Sequence, residues 1–348
     1  MTDNNKKIIR NPHLAENVVV IDGYRGCGKT LFGPIISSLE RVEILNFAFE
    51  IEFICRLHKL DKITKDATDA LTKMFIDHKL YQTMMGRETN FRYSDLSSVF
   101  NYSNPLKYFK RIFQEGDVVV PSRIAEEKPI LSLTTHDLLA YSEPLFETLG
   151  NKLTFIEIVR HPLYMIIQET HNMKTLFEHI EPRDIQIYFD YNGKELPYFC
   201  HGWEEIYLNS NYVEKAIYAI HHAITANNKA RKEVKKYPSN LISIPFEKFV
   251  TGPDVYMNQI VRSLKSNLTK ETMKALKKQK VPRKKIADGI SLDVYKRFGW
   301  EPSQKGFSEE DELNKRREFV IKEGASKEAL ALMDSLSNDY EEKLKMMD

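Results

Sequence analysis

The segment Gly23-Tyr24-Arg25-Gly26-Cys27-Gly28-Lys29-Thr30 fits the spacing G-x-x-x-x-G-K-[ST] in full. Such a loop turns backbone N–H groups toward phosphate oxygens, and its glycines let the chain come close to the ligand. Lys29 then reaches a terminal or bridging oxygen, while Thr30 holds a metal ion or donates directly to phosphate. Two more residues stand just past apolar runs. His136 follows Ile130-Leu131-Ser132-Leu133-Thr134-Thr135, where a neutral imidazole can take a proton from an attacking hydroxyl. Arg160 follows Leu153–Val159 and precedes His161-Pro162, a place suited to bidentate contact with phosphate. Each has a plainer reading: a glycine turn for the loop, a helix cap or core residue for His136, a structural ion pair for Arg160.

These residues need particular elements behind them. Val18-Val19-Val20-Ile21-Asp22 is a continuous β-branched run, as expected of a central parallel strand buried on both faces. A helix should follow the loop, and Pro34 demands a kink or a tight first turn in it. Val42–Leu45 reads as a second strand, and Asp117–Pro121, Ile130–Thr134, Leu153–Val159 and Leu241–Pro245 as further strands. Ile185–Tyr191 and Glu195–Phe199 flank Asn192-Gly193, a two-residue hairpin signal. Tyr212–Val234 and Val255–Lys265 read as helices. Strands alternating with helices predict an α/β fold: a P-loop three-layer sandwich around a central, mostly parallel sheet. In such sheets ligands bind at the carboxyl ends of the strands, so the loop, His136 and Arg160 should face one crevice.

Residues 46–115 read as a helical insertion. They carry 12 aromatics in 70 residues, against 11% for the chain, and form either core packing or the walls of an acceptor-side lid. Residues 266–348 read as a charged helical extension, packed on the domain or paired with a second copy in a homodimer. Lys277 to Lys285 holds six basic residues in nine, as a solvated helix end, a flap over a nucleotide phosphate involving Arg283, or a nucleic-acid contact. No aromatic interleaves that run, so stacking on bases has no support.

The order of motifs resembles the sulfotransferase family over roughly residues 16–265. The stretch from Arg25 through Gly26, Cys27 and Gly28 to Lys29 and Thr30 is similar to the family's loop for the 5′-phosphosulfate. Thr134-Thr135-His136 is similar to the segment that carries its general base. Arg160-His161-Pro162 is similar to its 3′-phosphate segment, and Pro245-Phe246-Glu247-Lys248-Phe249 with Thr251-Gly252-Pro253 to a later turn. The resemblance implies 3′-phosphoadenosine 5′-phosphosulfate as donor, adenosine 3′,5′-bisphosphate as product, and a hydroxyl or amine acceptor, a carbohydrate or small metabolite. It implies His136 and Lys29 as catalytic residues, and Arg25–Thr30, Arg160, Gln168 and Arg283 as donor contacts, with no metal. Gln168 stands where the family has a serine, and Lys29 where it has a threonine. Lys29-Thr30 therefore keeps open a second reading, a kinase or hydrolase using ATP with Mg²⁺, for which Asp137 and Asp22 are the nearest carboxylates. A non-catalytic nucleotide-binding protein is the third.

The bulk properties fit any of the three. The chain has 348 residues, 42% hydrophobic and 29% charged, which suits a folded globular protein. Its 51 basic and 49 acidic residues leave a net charge of +2, so no whole-surface nucleic-acid binder is expected. No apolar run is long enough for a membrane span, and the first residues lack the apolar stretch of a secretory leader. Cys27, Cys55 and Cys200 form no C-x-x-C pair, so neither a zinc knuckle nor a disulfide framework is expected, and a reducing cytoplasm fits.

Overall fold

The computed structural model describes residues 6–346 except 12, 94–96, 103, 181–183, 291–295, 297–300 and 302–305. Strands β1 (Asn17–Gly23), β2 (Val42–Phe47), β3 (Ile130–Thr134), β4 (Leu153–Val159) and β7 (Asn240–Pro245) form one sheet, with β5 (Tyr188–Tyr191) and β6 (Lys194–Pro197) apart as a hairpin. The sheet order is β2-β3-β1-β4-β7, and every neighbouring pair is parallel. The hairpin turns at Asn192-Gly193, both with positive φ, as a two-residue turn of this kind requires.

The β-branched run of β1 is split between two cores. Val19 and Ile21 join Ile156, Ile158, Ile242 and Ile244 on one face. Val18 and Val20 join Leu131, Leu133 and Phe155 on the other. All four β1 side chains are fully buried, each worth about 1.5–3 kcal/mol, which is why no polar residue interrupts the run.

The helices cover both faces. In chain order they are α1 (Phe32–Ile36), α2 (Phe49–Lys59), α3 (Lys65–Met85), α4 (Pro105–Ile112), α5 (Val120–Glu127) and α6 (Glu143–Leu149). There follow α7 (Pro162–Thr175), α8 (Glu204–Asn209), α9 (Tyr212–Glu233), α10 (Phe246–Thr251), α11 (Asp254–Leu264), α12 (Lys270–Lys278), α13 (Glu309–Lys322) and α14 (Lys327–Lys345). The expected tight turn before Pro34 is present: a 3₁₀ turn over Lys29–Leu31 leads into the five-residue α1, so Pro34 lies in the first turn, where its missing N–H breaks no bond.

Residues 117–121 are not the expected strand. Pro121 sits in the first turn of α5, a position that favours proline, while Val118 is exposed. The C-terminal pair α13 and α14 buries Val320, Ala329, Met333 and Leu336 in the same core as β1 and α7. Part of the expected helical run 266–348, at 291–295, 297–300, 302–305 and 347–348, lies outside the described residues. Among the described residues no helix is long and apolar enough to cross a membrane.

Candidate active site

Strand register brings the three motifs to one rim. Ile21 pairs with Thr134 and Gly23 with Ile158, so the loop after β1 lies between the chain leaving β3 toward His136 and the chain leaving β4 toward Arg160. The link to β3 continues past the strand: Thr135 N–H donates to Ile21 O and Asp137 N–H to Gly23 O, both at 3.1 Å. Asp22 holds this turn. Its carboxylate accepts from Thr135 Oγ1 (2.8 Å) and from the N–H groups of Leu138 and Leu139 (3.1 Å each).

The loop itself is shaped by steric need. A Cβ on Gly23 would lie 2.5 Å from Ile158 O and 2.7 Å from Cys27 Sγ. At Gly28, with φ +94°, it would lie 2.4 Å from the Phe246 ring. Cys27 fills the space behind the loop, and burial pushes its thiol pKa up, so it serves as packing. Lys29 Nζ donates to Gly23 O (2.6 Å) and Tyr24 O (3.3 Å), curled over the loop it belongs to. Thr30 is exposed at the loop's end.

Arg160 closes the loop from the β4 side. Its Nη1 donates to Gly26 O at 2.9 Å, and its guanidinium lies between the rings of Phe246 (4.4 Å) and Tyr164 (4.8 Å). Nε is buried with no hydrogen-bond partner among the described residues; the nearest carboxylate oxygen, of Glu247, is 4.0 Å away. Burial lowers the Arg160 pKa against the pull of Glu247, and Arg316 lowers it further. A cation held this way gains from an added anion. Gln168 also meets the loop: a Cβ on Gly26 would touch its Oε1 at 3.3 Å.

Two expected donor contacts are spent elsewhere. Arg25 does not face the loop's interior. Its Nε and Nη2 form a fork on Glu169 (2.8 and 2.6 Å), Tyr24 donates to the same carboxylate, and the rings of Tyr24, Phe177 and Phe199 surround the guanidinium. Through this fork on a buried carboxylate of α7, Arg25 ties the loop to that helix. Arg283 shares the Phe246 ring with Arg160 at 5.7 Å, but its guanidinium donates to the carbonyls of Gln279, Lys280 and Ile286. It shapes its own loop at the edge of the site.

His136 is held by residues the sequence reading passed over. Its backbone N–H (2.9 Å) and its Nδ1 (3.0 Å) both meet Glu52 Oε1, and its carbonyl accepts from Arg56 Nη2 (2.7 Å). Arg56 pairs with Glu52 Oε2 at 2.9 Å, and both side chains are 1% exposed. Burial pushes the Glu52 carboxyl up, but the charges and hydrogen bonds of His136 and Arg56 outweigh it and hold its pKa below the ordinary value. The ionised carboxylate only accepts, so Nδ1 is the donor to Glu52, and in the neutral ring the lone pair then lies on Nε2. Phe47 and Phe49 lie beside the ring in nearly parallel planes, 6.2 and 5.7 Å away, and a third of the His136 side chain is open. The signal available in the sequence was Glu52-x-x-x-Arg56, an opposite-charge pair at helical spacing set among Ile51, Phe53, Ile54 and Cys55.

The carboxylates considered for Mg²⁺ are engaged or enclosed. Asp22 is spent on the turn. Asp137 is 3% exposed, and burial pushes its pKa up to about 7, with Arg25 opposing and Asp22 reinforcing the shift. Among the described residues no group of three or more His, Cys, Asp or Glu side chains gathers to hold a metal.

The C-terminal helices pack on the Arg160 segment. Tyr340 donates to Glu247 Oε2 (2.5 Å), whose other oxygen accepts His161 N–H (3.2 Å), and His161 Nε2 lies 3.3 Å from Glu341. Tyr164 donates to Glu309 (2.8 Å), and the Arg316 guanidinium stacks on Tyr164 at 4.4 Å.

No family model and no curated protein matches the chain. Among solved structures it is similar to the sulfotransferase domain from the curacin biosynthetic pathway, at 11% identity and a TM-score of 0.41, over 90% of this chain and 99% of that one. It is similar to the sulfotransferase domain from the Synechococcus PCC 7002 olefin synthase, at 10% identity and a TM-score of 0.39, over 90% and 98%. Retinol dehydratase in complex with androsterone and inactive cofactor PAP matches at 13% identity and a TM-score of 0.30, over 88% and 80%.

Proposed function

We propose that the chain is a sulfotransferase that moves a sulfuryl group from 3′-phosphoadenosine 5′-phosphosulfate to a hydroxyl or amine of an acceptor. The observation that carries this is the shared rim: a phosphate-type loop flanked on one side by a histidine whose Nδ1 is turned to Glu52, and on the other by an arginine whose Nε has no hydrogen-bond partner among the described residues. In this reading Gly26, Cys27, Gly28, Lys29 and Thr30 hold the 5′-phosphosulfate. Arg160, with Gln168 beside the loop, takes the 3′-phosphate. The acceptor oxygen attacks sulfur in line as its proton passes to His136 Nε2. The bond from sulfur to the bridging oxygen breaks, and Lys29 and the loop stabilise the charge left on the phosphate.

A second reading, phosphoryl transfer from ATP with Mg²⁺, is favoured by Lys29-Thr30 and by the exposure of Thr30. The engagement of Asp22 and the enclosure of Asp137 give it less support.

A thermal-shift panel tests the two. Adenosine 3′,5′-bisphosphate without metal is expected to stabilise the protein by about 2.7 kcal/mol at about 100 times its dissociation constant. Stabilisation by ATP only with Mg²⁺, and none by the bisphosphate, would sink the sulfotransferase reading.

A further inference from the structure

We propose that Glu52 is the positioning residue for His136, with Arg56 as its counter-charge, so that the base works as a Glu–His pair backed by an arginine. The inference rests on the reading of His136 as the base. Ala48 N–H donates to Thr134 O at 3.1 Å, which ties the start of α2 to the end of β3. Glu52 then falls in the first turn of α2, where the helix dipole favours a carboxylate. Arg56, four residues on, lies on the same face.

Together they grip His136 at three points. One Glu52 oxygen takes both the backbone N–H and Nδ1, and Arg56 takes the carbonyl. Neither side chain can reach a substrate, since both are 1% exposed, so their effect must pass through the histidine. Two consequences follow. The tautomer is fixed with the proton on Nδ1, which leaves Nε2 to accept. When Nε2 takes the acceptor's proton, the imidazolium already has a buried anion at 3.0 Å. Burial alone would raise the Glu52 carboxyl; the contact with His136, and after it the charge of Arg56, hold it below the ordinary value.

Glu52→Gln puts an amide beside Nδ1. The amide can donate as well as accept, which frees the ring to carry its proton on Nε2 and hides the lone pair. Turnover should fall about 10²–10⁴-fold, the upper end being the cost of the analogous change in a serine-protease triad. Because Glu52→Gln leaves Arg56 buried without its partner, Glu52→Gln/Arg56→Met serves as the folding control.

The first readout needs neither donor nor acceptor. Long-range ¹H–¹⁵N correlations of the imidazole at alkaline pH should show His136 protonated on Nδ1 in the wild type, and a mixed or reversed pattern in both variants. The second is turnover: Glu52→Gln should cost rate with bisphosphate affinity unchanged, and should cost nothing further in a His136→Ala background. An Nε2-protonated ring in the wild type, an unchanged pattern in the folded variants, or a loss that adds in full to that of His136→Ala overturns the proposal. If the wild type fails to bind the bisphosphate, the sulfotransferase reading falls while the tautomer pattern still decides the role of Glu52.

Discussion

Replacing His136 with alanine is expected to lower sulfuryl-transfer turnover about 10²–10⁴-fold, the usual contribution of a general base. Affinity for adenosine 3′,5′-bisphosphate should stay within about twofold of wild type. The split follows from where the ring stands. Its Nε2 lies across the ring from the Nδ1 that meets Glu52, the side chain is one-third open, and its ring neighbours among the described residues are Phe47 and Phe49. The fold should survive the change. The backbone N–H of residue 136 still donates to Glu52, Arg56 still bridges Glu52 and the carbonyl, and Asp22 still holds the turn. If His136 instead serves packing against the two phenylalanines, the variant should melt earlier and lose binding and rate together. Melting temperature, calorimetric affinity and turnover on one preparation separate the cases. A folded variant with normal binding and unchanged turnover removes His136 from the chemistry.

Lys29→Ala should weaken bisphosphate binding by about 10–150-fold, the value of a hydrogen bond to a charged group, and lower turnover at least as far. Lys29 Nζ now bonds the carbonyls of Gly23 and Tyr24. These neutral acceptors hold the ammonium over the loop, and a phosphate oxygen is a stronger one. The flexible stem lets Nζ follow charge as it develops on the leaving oxygen, so the loss should reach the rate as well as the affinity. Titration calorimetry and single-turnover rates check both. Wild-type affinity and rate in Lys29→Ala would make the loop a structural turn.

The sheet and its rim were legible because their signals are local. A β-branched run followed by G-x-x-x-x-G-K-T specifies strand, loop and helix within a few residues, and the parallel order brings His136 and Arg160 beside it. What was not legible depends on partners far off in sequence. Arg25 looks like a phosphate ligand by position, but Glu169 is 144 residues away and claims its guanidinium. Glu52 reaches His136 across 84 residues, inside a segment read for its aromatics. Asp22, hidden in a hydrophobic strand, shows its role only when the turn after β3 lies against it. At Asp117–Pro121 three successive valines suggested a strand, and Pro121 at a helix start decided otherwise.

The most direct test of the central claim is a crystal structure of the full chain with adenosine 3′,5′-bisphosphate. If the chain is a sulfotransferase of this kind, the 5′-phosphate lies within the loop Gly26–Thr30, bonded by Lys29 Nζ after it leaves the Gly23 carbonyl. The 3′-phosphate should lie within hydrogen-bond distance of Arg160 Nε, and His136 Nε2 should face the open side of the 5′-phosphate. A bisphosphate bound elsewhere, or a loop that admits only ATP with Mg²⁺ while Arg160 touches no phosphate, would contradict it.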